Sequence, residues 1–95
     1  MENNTSKHPQ HVVGYDGSFK DLAEAIGTMS YDQVAVFLGE LAANILEQAI
    51  SDLKVRNRPK LAQHLFAAAG EIKKAQSEMD SAWKVCKPYM PKQSW

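Results

Sequence analysis

Lys54, Arg56, Arg58 and Lys60 place four cations within seven residues, the densest group of chemically competent side chains in this chain. Pro59 marks the start of a helix, since its missing N–H costs nothing in the first turn. The run therefore lies between the C-terminal end of one helix and the N-terminal end of the next. Free backbone N–H groups at a helix N-terminus attract anions, and arginine forks grip phosphate oxygens in pairs. His64 falls one turn into the same helix, so Lys54, Arg56, Arg58, Lys60 and His64 form a candidate site for an anionic small molecule such as a nucleotide. Tyr15 and Tyr89 are added as aromatics that could stack on a base. The competing reading is structural: Lys54 and Arg56 neutralise the helix dipole and Asp52, and the remaining cations are solvated.

Other arrangements carry less. His8 and His11 have an H-x-x-H spacing without further ligands, so no metal site is expected. Cys86 occupies an apolar repeat position with no histidine placed to activate it. Ser30, Tyr31 and Asp32 are accounted for by a helix start. No catalytic residue is assigned, no cofactor is expected, and a non-enzymatic protein is the reading. Nucleic acid is an improbable ligand, because the cluster is short and the 11 basic residues are balanced by 11 acidic ones.

The elements that must hold these residues follow from periodicity. Leu61, Leu65, Ala68, Ile72, Ala75, Met79, Ala82 and Cys86 succeed one another at alternating steps of four and three, the 3.5-residue repeat of a helix lying along a partner. This predicts a helix over 59–86 with that seam, ended by Pro88. Gly70 within it suggests close approach of another backbone. Phe66, Ala69 and Trp83 fall beside the seam. Upstream, a broad apolar sector including Val34, Leu38, Ala42, Ile45 and Ala49 predicts a second long helix over 31–55, with Ser30 and Gln33 as an S-x-x-Q cap. Ser18 and Asp21 cap a short helix over 19–27, and Asn57 or Arg58 caps the last.

Small residues at every second layer let two helices approach closely. The expected fold is all-α: a short N-terminal helix plus a long antiparallel helical hairpin, associating into an oligomeric helical bundle because the short helix cannot cover the apolar stripes left over. Residues 1–53 hold two basic and eight acidic residues, a balance of −6, and residues 54–95 hold nine basic and three acidic, a balance of +6. That asymmetry favours folding back, or pairing with a second copy. Residues 1–11 read as a disordered tail, 12–90 as one helical domain with an extended arm at Val12, Val13 and Tyr15, and 91–95 as a C-terminal tail.

There is no run of eighteen apolar residues and no basic-then-apolar leader, so neither a membrane span nor a signal peptide is expected. With one cysteine, a cytoplasmic location follows. Over roughly residues 20–90 the chain resembles small helical proteins of bacteria and their phages, in Tyr31 and Asp32, in 56–60, and in Ala82, Trp83 and 86–90. The resemblance brings no activity with it. It implies a context in which compact proteins act by binding, either sequestering a signalling nucleotide or blocking a host protein as inhibitor or adaptor.

Overall fold

The computed structural model describes residues 8–89; the expectations for 1–7 and 90–95, covering most of the N-terminal tail and the whole C-terminal one, lie outside them. The fold is all-α, with three helices in chain order: α1 over Phe19–Gly27, α2 over Tyr31–Lys54 and α3 over Pro59–Cys86, followed by a 3₁₀ turn over Lys87–Tyr89.

Each helix begins and ends for a local reason. Ser18 caps α1, its hydroxyl accepting the Asp21 N–H at 3.1 Å. Thr28 ends α1, with its own N–H and its Oγ1 both donating to the Glu24 carbonyl. Ser30 stands at the N-cap of α2 but does not cap with its side chain. Its hydroxyl donates instead to Asp32 Oδ1 at 2.6 Å, while the Gln33 N–H expected to reach it goes to the Ser30 carbonyl at 3.0 Å. At the other end of α2, Asn57 takes a left-handed conformation with φ of 54°. This sharp reversal lets the Arg58 N–H reach back to the Asp52 carbonyl at 2.7 Å. Asparagine is among the few residues that adopt it cheaply.

The packing is α2 against α3. Residue numbers run in opposite senses along the pair: Asp32 and Ala35 share a cleft with Gln76 and Asp80, Ala42 and Leu46 with Phe66 and Ala69, and Gln48 and Asp52 with Leu61 and Leu65. The buried residues of α2 are Ala35, Ala42, Ala49 and Asp52, and those of α3 are Ala62, Ala69 and Trp83. Alanine at intervals of seven on both helices removes side-chain bulk from the contact.

The repeat on α3 is present with one of its two positions displaced. Leu65, Ile72, Met79 and Cys86 are half-buried, as the spacing predicts. Their companions facing α2 are Ala62, Ala69, Gln76 and Trp83, whereas Leu61, Ala68 and Ala75 are exposed and Ala82 is half-buried. Both sets satisfy the same 3.5-residue period, and only the position of α2 chooses between them. Gly70 meets nothing within 4 Å of where a Cβ would stand, so it is not a point of close approach. Gly39 is: a Cβ there would lie 2.5 Å from Gln76 Nε2. The Gln76 side chain folds over the bare backbone of α2.

α1 buries none of its residues. Among the described residues no large side chain is fully buried, while Phe37, Leu41, Leu46, Ile50, Leu53, Leu61 and Phe66 are all more than a third exposed. Although it has no unbroken run of apolar residues, α2 is long and apolar enough to cross a membrane by length and composition. Glu40 and Glu47 lie within it, and two carboxylates would cost roughly 5–7 kcal/mol near a bilayer centre. A core helix meets the same criterion of length and composition.

Candidate functional site

The α2–α3 link shapes one end of the helix pair. A cleft of about 420 Å³ opens there, lined from α2 by Asn44, Ile45, Gln48 and Asp52, from the link by Arg56 and Arg58, and from α3 by Leu61 and Leu65, with His8 of the N-terminal segment at its edge. Its floor is apolar, and its polar groups converge from three segments.

Asp52 organises this corner. It is 5% exposed, and one turn on Arg56 reaches it with Nη1 3.5 Å from Oδ1. The guanidinium is half-buried and the carboxylate buried, so removing Arg56 would leave the Asp52 carboxylate without its ion-pair partner. The Asp52 carbonyl holds the Arg58 N–H, so one residue fixes both the side chain of Arg56 and the backbone of Arg58. Arg58 is the N-cap residue of α3 and makes no side-chain cap. It is exposed beside the first turn, where backbone N–H groups have no helical acceptor.

The sequence-predicted site is thus divided. Arg56 and Arg58 come together on the cleft. Lys54, Lys60 and His64 are exposed and are not among its lining residues. Lys60 and His64 each precede a cleft-lining leucine of α3 by one residue, which turns them about 100° away from it. Tyr15 is half-buried in the arm, its ring packed against the Gly17 backbone, and it does not line the cleft. Tyr89 is 85% exposed beyond the far end of α3, separated from Arg58 by a helix of 28 residues, or about 42 Å. It cannot stack on a ligand held by Arg58 of the same chain.

Asn44, Gln48, Asp52 and His8 were not picked out as site residues by sequence reasoning. A signal existed for three of them: Asn44, Gln48 and Asp52 recur at intervals of four on α2, the spacing of one helix face. Among the described residues no group of three or more His, Cys, Asp or Glu is placed to hold a metal ion.

The arrangement can bind a small anion through Arg58, with amide side chains for neutral polar groups and leucine for an apolar portion. Asp52 offsets one of the two arginine charges. No family model matches the chain, and no curated protein or solved structure matches it either.

Proposed function

We propose that this chain is a non-enzymatic binding protein that holds or sequesters an anionic small ligand, such as a signalling nucleotide, in the cleft beside the α2–α3 link. The observation that carries this reading is the convergence of Arg56 and Arg58 with Asn44 and Gln48 on one cleft with a leucine floor. Arg58 is the anion contact, Arg56 is the positioning residue locked to Asp52, and the amides supply specificity. The structural unit in this proposal is the antiparallel hairpin of α2 and α3, self-associated into a helical bundle in the cytoplasm. The phage-type context belongs to the same proposal.

Titration of the purified protein with a panel of nucleoside phosphates, read by calorimetry, tests it. Arg58→Ala is expected to weaken binding at least tenfold without loss of helicity, since a charge-assisted contact is worth about 1.5–3 kcal/mol. No saturable binding by any member, or equal affinity in wild type and Arg58→Ala, would remove the proposal.

A second reading, an inhibitor or adaptor for a macromolecular partner such as a host protein, draws on the other side of the hairpin. There Leu46, Ile50 and Leu53 of α2 and Phe66 of α3 are each 37–43% exposed. A partner captured through that side would be lost in Leu46→Glu and kept in Arg58→Ala.

A further inference from the structure

α3 carries two overlapping seams. One, through Ala62, Ala69, Gln76 and Trp83, is filled by α2. The other, through Leu61, Ala68, Ala75 and Ala82, shares Leu65, Ile72, Met79 and Cys86 with the first and lies to one side of it. Clefts on the two sides of the hairpin fix which side this is. Leu61 and Leu65 share a cleft with Ile45 and Gln48, whereas Gly70 and Lys73 share one with Gly39 and Leu46. By helical spacing Leu41 and Val34 continue the Ile45 side of α2. The outer seam contains no charged residue from Leu61 to Cys86. A helix with two seams that share one flank and are centred about 50° apart can touch two neighbours, as helices in a bundle do.

The order of side chains along the outer seam identifies the second neighbour. In antiparallel coiled packing each layer joins the two alternating heptad positions of facing helices. Laying a second copy of α3 antiparallel on the first pairs Leu61 with Cys86, Leu65 with Ala82, Ala68 with Met79, and Ile72 with Ala75. Every layer then joins a larger side chain to a smaller one. A parallel copy would instead stack alanine on alanine and leave gaps.

We infer that the outer seam of α3 is a self-complementary dimer interface, on which a second copy of this chain docks antiparallel with the two-fold axis level with Ile72 and Ala75. This rests on the self-association included in the proposed function and specifies its face and direction; Leu61 and Leu65 also line the cleft beside the link, so the second copy forms the outer wall of that cleft. Gly39 lies across from Gln76 within the hairpin, so Leu41 is level with the axis and meets its own counterpart. The strip is about 40 Å long, and two helices make it about 20 Å wide, giving on the order of 800 Å² per partner, the size of a standard specific interface. Electrostatics agree with the direction. Lys54, Arg56, Arg58 and Lys60 against Asp52 leave a charge of +3 at the link end, and antiparallel docking keeps the two link ends apart. Glu71 and Glu78 border the strip at its exposed rim, where like-charge terms are small.

The full chain with Leu61→Cys, under mild oxidation, tests the direction. Positions 61 and 86 of one chain are at opposite ends of α3, so a disulfide between them forms only between copies. Peptide mapping is expected to find position 61 joined to Cys86 in a covalent dimer that the wild type does not form. Native mass spectrometry tests the face: wild type and Ser77→Glu, on the opposite side, remain dimers, and Ala75→Glu becomes a monomer with helical circular dichroism retained. An oligomer that survives Ala75→Glu and yields no 61–86 linkage overturns this interface while self-association stands. A monomeric wild type overturns both. Should Ala75→Glu fail to fold, the 61–86 linkage decides alone, its absence overturning the inference.

Discussion

Asn57 shows how one residue sets the corner on which the candidate site depends. Its φ of 54° turns the chain so that Arg58 can cap α3 and return its N–H to Asp52. A β-branched side chain would clash there, so Asn57→Val is expected to destabilise by about 1–2 kcal/mol, while Asn57→Gly is neutral or slightly stabilising; urea unfolding followed by circular dichroism separates the two. Arg56 is tied to the same corner. Arg56→Ala leaves Asp52 buried without its partner and is expected to cost about 1–2 kcal/mol, allowing for the partial exposure of the guanidinium. Adding Asp52→Asn in the Arg56→Ala background recovers part of that loss, because a neutral amide is less costly to bury than an unpaired carboxylate. A loss that the second substitution does not reduce would contradict the pairing.

At the scale of the helices, the contrast between the two glycines is the sharper test. Gly70 has open space around it, so Gly70→Ala should stabilise α3 by about 0.5–1 kcal/mol through reduced unfolded-state freedom and better helix propensity. For a chain of 95 residues that is roughly 3–6 °C in Tm. Gly39→Leu should do the reverse, since the end of the Gln76 side chain occupies its space and has to be displaced. Had Gly70 been the contact, as a glycine inside α3 suggests, the two outcomes would be exchanged. The alanine contacts obey the same logic: Ala42, 2% exposed, should not accept leucine without a loss of about 2 kcal/mol or more.

The whole molecule has an inverted distribution of side chains. Among the described residues its buried contact is mostly alanine, and many of its large apolar side chains are more than a third exposed. Alanine burial alone returns little, because a methyl group removes little area from water. A single pair of helices of this kind is marginal, and in the proposed dimer a second copy would supply the missing burial. Thermal stability should therefore rise with protein concentration over a hundredfold range, as it does when association is linked to folding. A Tm independent of concentration in that range would show that the hairpin is stable without a partner.

What the sequence determined by itself was the all-α class, the order of three helices and the 3.5-residue period of α3, because caps, prolines and apolar spacing act within a few residues of one another. Ser18, Pro59 and Pro88 each do their work locally. Tertiary structure decided which of two equally periodic stripes on α3 faces α2, because stripes one residue apart, such as Ala68 and Ala69, differ in direction by only about 100°. It also decided that Arg56 and Arg58 share a cleft with Asn44 and Gln48 while Tyr89 stands at the far end. Cleft membership depends on how two helices meet across the link, and residue spacing along one helix carries no record of the other.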